Sequence, residues 1–248
     1  MHTVRWRIYL RASAAASLLM ASACAHTPAD DPSDPLEAVN RKVYVFNETA
    51  DRYLLRPVAK GYDKAMPGFA RTGVSNFFDN LFYPRTIVND LLQGKLQQFG
   101  EDLARFVVNS TFGVAGLFDV AAAGGLEAHA EDFGQTLGFW GLGPGWYLML
   151  PLIGPTDNRD LVGRGGDWFT NPLNLDWVPT DWNLAANALN TVEERAQFFA
   201  ADRLMEQQLD RYAFVRTLYL QRRMNLVYDG NPPPEELFGV DPEDEAPP

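Results

Sequence analysis

The chain has 248 residues, 46% hydrophobic and 21% charged, with 32 acidic against 21 basic side chains and a formal net charge of −11. That length suits one domain with a sizeable core. The acidic balance excludes nucleic acid as a partner and a broad basic patch as the hold on anionic lipid.

At the N-terminus Arg5, Arg7 and Arg11 precede an uncharged, Ala- and Leu-rich stretch from Ala12 to Ala23. This pattern is a secretory signal, too short for a permanent membrane span. It closes on Ala21-Ser22-Ala23-Cys24, which resembles the bacterial lipobox, with Ala21 where Leu is usual. Cys24 is the only cysteine, so no intramolecular disulfide is open to it. Its place at the end of the apolar stretch predicts lipidation, which gives stable anchoring when several acyl chains are attached. Removing residues 1–23 takes away three arginines and no acid, so the net charge falls to −14. Residues 24–33 are polar and Pro-containing, a tether reaching about 30 Å at most. Residues 34–230 form the predicted folded domain, and 231–248 an acidic, Pro-rich tail with little to bury.

Ser33-Asp34-Pro35-Leu36-Glu37 is a helix start with Asp34 as N-cap and Pro35 at the first position. Leu36, Val39, Val43, Phe46, Ala50 and Tyr53 continue one apolar stripe that ends before Pro57. Leu96, Phe99, Leu103, Phe106 and Val107 repeat the spacing within 96–112. Two more helices are predicted around 185–199 and from 202 to 228. Period-two alternation is not convincing anywhere, so the fold class is mainly α.

From Phe133 to Thr156 no side chain is charged, yet nine Gly and Pro residues in those 24 positions forbid one long helix. Irregular backbone at membrane depth survives only inside protein or against a water-filled cavity. The segment is therefore either buried loops or the wall of such a cavity. Trp140, Trp146, Trp168, Trp177 and Trp182 all fall within 43 residues, which suits a membrane interface and equally a Trp-rich core or a carbohydrate cleft.

Catalytic motifs fail. Gly141-Leu142-Gly143-Pro144-Gly145-Trp146 has Trp where a dinucleotide loop needs its third Gly, and Gly73-Val74-Ser75-Asn76-Phe77 lacks the last Gly of a nucleophile elbow. His26 and His129 have no partners at metal-ligand spacing. No cofactor is implied. Asp119, Glu131, Asp132, Asp157, Asp160 and Asp167 read as capping and ion-pairing groups, with a glycosidase-like carboxylate pair as the alternative.

Asp34-Pro35-Leu36-Glu37-Ala38-Val39-Asn40-Arg41, Val74-Ser75-Asn76-Phe77-Phe78-Asp79-Asn80-Leu81, Gly116-Leu117-Phe118-Asp119-Val120-Ala121 and Asp132-Phe133-Gly134-Gln135-Thr136-Leu137-Gly138 together resemble the MlaA/VacJ family of outer-membrane lipoproteins. The match spans roughly Asp34 to Tyr228. The resemblance implies a ring-shaped helical protein lying in one leaflet of the outer membrane on the periplasmic side. It implies association with trimeric porins, and transfer of mislocalised phospholipid to a soluble periplasmic carrier, which maintains lipid asymmetry without enzymatic chemistry. A glycan hydrolase and a porin-stabilising factor are the rival functions. The predicted lipid path has Phe133–Pro155 as its wall. Phe133, Leu137, Trp140, Leu142, Trp146, Tyr147 and Leu150 would meet the tails, and Gln135 and Thr136 the headgroup.

Overall fold

The computed structural model describes residues 31–176 and 178–233. Cys24, the signal, the tether before residue 31, Trp177 and the tail from 234 lie outside the described residues. The chain is mainly α-helical. Helix α1 (Glu37–Ala50) passes through a π-helical turn (Asp51–Leu55) into α2 (Arg56–Ala65), followed by the long α3 (Gly68–Gln93) and α4 (Leu96–Thr111). Short α5 (Val120–Ala123) and α6 (Phe133–Phe139) lead to an antiparallel hairpin, β1 (Tyr147–Leu150) and β2 (Gly154–Asp157). Helices α7 (Asn158–Thr170), α8 (Thr180–Gln197), α9 (Phe199–Glu206) and α10 (Arg211–Val227) complete the domain. No helix among the described residues is long and apolar enough to cross a membrane.

The helix expected to stop before Pro57 runs on. Pro57 sits in the first turn of α2, where a missing N–H costs nothing, and the π-helical turn joins the two helices. Asp34 is not the side-chain cap of α1. Its carboxylate is fully buried and accepts from Asn40 (2.8 Å), Arg216 (3.0 Å) and the Tyr212 hydroxyl. Residues 202–228 are two helices, parted before Asp210, which caps α10 through the Ala213 N–H.

The described residues bury seven hydrophobic side chains against eighteen polar or charged ones. Much of the first two apolar stripes is turned outward, although Val43 packs on the core. Val39, Phe46 and Tyr53 are exposed, while Asn40 of the same helix is buried. In α4, Leu96, Leu103 and Val107 face out, while Asp102, Arg105 and Asn109 face in. In water each such apolar side chain would forgo about 1.5–3 kcal/mol of burial, so this periphery is built for an apolar solvent.

Polar groups inside must then find partners, and most do, although the Tyr62 and Tyr147 hydroxyls and one oxygen each of Asp90 and Gln135 accept or donate no bond. Asn40 and Asn47 lie two turns apart on α1 and meet the edge of β1. Asn40 donates to the Tyr147 carbonyl (3.0 Å) and accepts from the Met149 N–H (2.9 Å). Asn47 donates to the Leu150 carbonyl (2.9 Å) and accepts from the Leu152 N–H (2.7 Å). Two side-chain amides thereby do the work of a third strand. Tyr147 and Met149 point inward onto Tyr212, the small apolar core.

Helices α6 and α7 cross closely because Gly163 faces Gly134. A Cβ at Gly163 would stand 2.5 Å from the Gly134 nitrogen. Asp132 caps α6 and Asp157 caps α7. Arg223 of α10 then ties the pair, donating to both Asp132 oxygens (2.6 and 2.9 Å) and to Asp160 (2.8 Å). Burial alone would raise the Asp132 carboxyl, but Arg223 and the Gln135 N–H outweigh it and hold its pKa at about 2. Because the folded value lies below the unfolded one, the stabilisation is complete above about pH 4 and disappears as pH falls toward 2. Asp132→Asn should therefore lower stability by about 2–3 kcal/mol at neutral pH. The gap to the parent protein should close near pH 2, as read by chemical denaturation in detergent at both pH values.

Candidate functional site

Three cavities adjoin along α3. The one nearest its N-terminus is about 430 Å³ and is lined by Tyr62, Arg71, Thr72, Ser75, Asn76, Glu193 and Gln197. It shares Asn76, Glu193 and Gln197 with a central cavity of about 450 Å³. The central one is walled by Asp79, Asn80, Tyr83, Arg85 and Thr86 of α3, Arg105 and Asn109 of α4, Asp119, His129, and Asn190 and Glu194 of α8. It shares Phe82 and Arg85 with a third cavity of about 250 Å³, which adds Arg164, Asp167, Trp168, Asn171 and Asn174. From Arg71 to Arg85 the helix climbs roughly 20 Å, so the three lie in a row over about that length, a candidate passage with largely polar side chains in its walls.

Local sequence explains why α3 can line it. Asn76, Asn80, Tyr83, Thr86, Asn89, Asp90 and Gln93 recur at three- and four-residue spacing, a polar stripe on one face. Gly94, at φ +72°, ends the helix in the left-handed region, and the Lys95 N–H returns to the Asp90 carbonyl (2.9 Å).

The passage is anchored by side-chain bonds on its closed side. Tyr83 donates to Asp102 (2.6 Å), which also meets His129 Nδ1 at 3.1 Å. Arg105 bonds the Leu126 carbonyl (2.6 Å) and Asp119, and Asn109 bonds Asp119 (3.0 Å). Burial, then neighbouring Glu194, raises the Asp79 carboxyl. Burial likewise raises Glu193, whose partner is the Gln197 amide (2.7 Å).

None of the nine side chains expected along the path lines these three cavities. Thr136 is fully buried, donating to Asn89 (2.7 Å) and accepting from Gln93 (3.2 Å); Gln135 donates to the Ala130 carbonyl (2.8 Å). Tyr147 is fully buried against Tyr212. Phe133, Leu137 and Leu150 are half-buried, Phe133 lying edge-on to Trp140. Trp140, Leu142 and Trp146 are exposed, as are Trp168 and Trp182. The cavity-lining residues of α3 and α8 escaped the sequence reading. Their signal was a polar stripe, invisible to a search for apolar periodicity.

The six carboxylates singled out in the sequence are engaged within the fold. Asp119, Asp132 and Asp157 cap helices, and Glu131 pairs with Lys95 (2.9 Å). Asp160 meets Arg159 and Arg223, and Asp167 accepts from the Phe133 N–H (2.9 Å).

An apolar exterior, a polar interior and a row of cavities along α3 define a helical protein whose outer face suits apolar surroundings. The chain belongs to the MlaA lipoprotein family, whose pattern matches residues 32–226. It is 37% identical over 234 residues to the intermembrane phospholipid transport system lipoprotein MlaA of Escherichia coli (strain K12), covering 92% of each chain. The Haemophilus influenzae protein of the same name is 32% identical over 202 residues, covering 80% of each. A solved structure from work on the structural basis for maintenance of bacterial outer membrane lipid asymmetry matches with a TM-score of 0.70 at 36% identity. That match covers 80% of this chain and all of the other.

Buried and exposed positions of the uncharged segment should answer differently to substitution. Thr136→Val leaves the buried Asn89 side-chain oxygen without its donor, while Gln93 keeps Glu131, and should cost about 1–3 kcal/mol. Leu142→Ala should stay within about 0.5 kcal/mol of the parent in detergent. Paired denaturation curves check both.

Proposed function

We propose that this protein is an outer-membrane lipoprotein, anchored through Cys24 on the periplasmic side, that moves phospholipid to keep the membrane asymmetric. It takes phospholipid mislocalised to the outer leaflet, draws the headgroup through the polar passage along α3, and releases the lipid on the periplasmic face. No bond is made or broken. The family and its phospholipid-transport relatives support this role.

The observation that carries the mechanism is the inverted polarity combined with the passage. A phospholipid leaving a bilayer unaided exposes its methylenes at about 0.8 kcal/mol each, roughly 20 kcal/mol for two chains. A protein lowers that barrier by giving the headgroup a polar route while the tails stay against apolar surface. A passage of roughly 20 Å is comparable with one leaflet, whose hydrocarbon is about 15 Å deep. A ring-shaped domain lying in that leaflet would use its exposed leucines and aromatics as the lipid-facing surface.

Of the nine side chains expected to wall the path, Trp140, Leu142 and Trp146, with the partly exposed Phe133, Leu137 and Leu150, serve in this proposal as tail-facing surface. Gln135, Thr136 and Tyr147 hold the scaffold behind them. Signal peptide 1–23, tether 24–33 and tail 231–248 frame the domain. Asp31 pairing with Arg216 (3.0 Å) and the Tyr147 N–H on the Ser33 carbonyl (2.7 Å) support a tether that joins beside the hairpin. A trimeric porin and a soluble periplasmic carrier are the partners that the family resemblance implies.

Asn76 lines two of the cavities, so Asn76→Trp should obstruct the passage while leaving the periphery intact. In cells lacking the parental gene, the variant should reach the outer membrane at parental abundance. Outer-leaflet phospholipid, measured by susceptibility to an external phospholipase, should nevertheless rise to the level of the deletion. Full complementation by an abundant variant would contradict the path along α3.

A further inference from the structure

The third cavity carries a charge arrangement unlike the rest of the passage. Arg85 of α3 and Arg164 of α7 both line it and both are exposed. Neither guanidinium makes a hydrogen bond or a salt bridge with a described residue. Most of the described arginines hold a carboxylate, Arg41, Arg105, Arg159, Arg195, Arg216 and Arg223 among them, and Arg203 and Arg222, which also hold none, line none of the three cavities. Asp167, the one acid in the cavity wall, spends an oxygen on the Phe133 N–H and feels the charge of Arg85 without bonding it, so two guanidiniums face one carboxylate. The cavity therefore has a net positive wall within a strongly acidic protein.

Its surroundings set its depth in the membrane. Trp168 lines the cavity and stacks edge-to-face on Phe169 at 5.2 Å, and both rings are exposed. Exposed Trp marks the zone where hydrocarbon gives way to headgroups, which is where phosphates lie. An unpaired cation beside apolar surface is expensive and marks a ligand path. The guanidinium fork matches phosphate oxygens two at a time.

Resting on the transport reading above, we propose that Arg85 and Arg164 together form a phosphate-ester site that receives the phosphodiester of a phospholipid headgroup at one end of the passage. Because Arg85 also lines the central cavity, it can keep its hold while the headgroup moves inward. Phe82 and Trp168 offer apolar contact to the glycerol and the first methylenes. A free phosphate would present the same oxygens without that apolar part, so the two sources are separable.

The test uses full-length protein in a phospholipid-free amphipathic polymer, titrated calorimetrically with dihexanoylphosphatidylethanolamine and separately with inorganic phosphate. The parent protein should bind the lipid, with inorganic phosphate at least about tenfold weaker. Arg85→Gln combined with Arg164→Gln should weaken lipid binding by at least about tenfold at an unchanged melting temperature. The paired Lys variants should recover part of the loss, since charge returns without the fork. Should the double Gln variant not fold, Arg164→Gln alone carries the same expectation at smaller size. Unchanged lipid affinity in a folded glutamine variant overturns the arginine site and leaves transport along α3 standing. Inorganic phosphate binding as tightly as the lipid overturns the headgroup assignment. A parent protein that takes up no phospholipid brings down both this site and the transport reading.

Discussion

Where water is excluded, every amide and carboxylate must find a partner within the protein, and this chain places eighteen polar or charged side chains in that position. Its architecture follows from meeting that demand. Asn40 and Asn47 complete the open edge of the hairpin, Asp132 and Asp160 converge on Arg223, and Thr136 joins Asn89 to Gln93. The same helices expose leucine, valine and aromatic side chains on their outer faces. In water this arrangement would forfeit most of the hydrophobic stabilisation available to a domain of this size. In lipid, apolar side chains lose nothing by exposure, and interior hydrogen bonding becomes the organising force.

Electrostatics grades the interior. On its closed side, Asp119 is matched by Arg105 and a helix cap, and Asp102 by the Tyr83 hydroxyl and His129. The cavity walls leave charge less fully spent: Asp79 and Glu193 have pKa values raised by burial, and Arg85 and Arg164 bond no side chain. A passage lined by unspent polar groups can exchange partners with a moving headgroup. A fully satisfied lining would be inert.

How much of this was legible in the sequence depended on which face of a helix was being tracked. The apolar spacing of Leu96, Leu103 and Val107 located α4 to within a residue, since period reports a helix whichever way its apolar face points. It could not report that the face points outward, because periodicity measures contrast between faces and is blind to solvent. The longest helix, α3, went unrecognised for a related reason. Its regular feature is polar, from Asn76 to Gln93, and its apolar residues are spread around the remaining surface. Pro57 misled because a proline after a stripe marks a stop, whereas here it opens the next helix. The uncharged segment was expected to be either buried loops or a cavity wall. Its polar members, Gln135 and Thr136, lie in the bonded interior, and its tryptophans lie on the surface. The family resemblance depended on residue order and held across residues 32–226.

Solvent identity on the two faces is the central claim, and site-directed spin labelling reads it directly. Nitroxides placed singly at Leu54, Phe69 and Phe112 on the periphery, and at Asn190 and Glu194 in the passage, would be compared in outer-membrane lipid. Collision rates with oxygen, which concentrates in hydrocarbon, are set against those with a water-soluble nickel chelate. The peripheral labels should favour oxygen and the passage labels the chelate. Peripheral labels as open to the chelate as Glu194 would contradict a domain that lies within the leaflet.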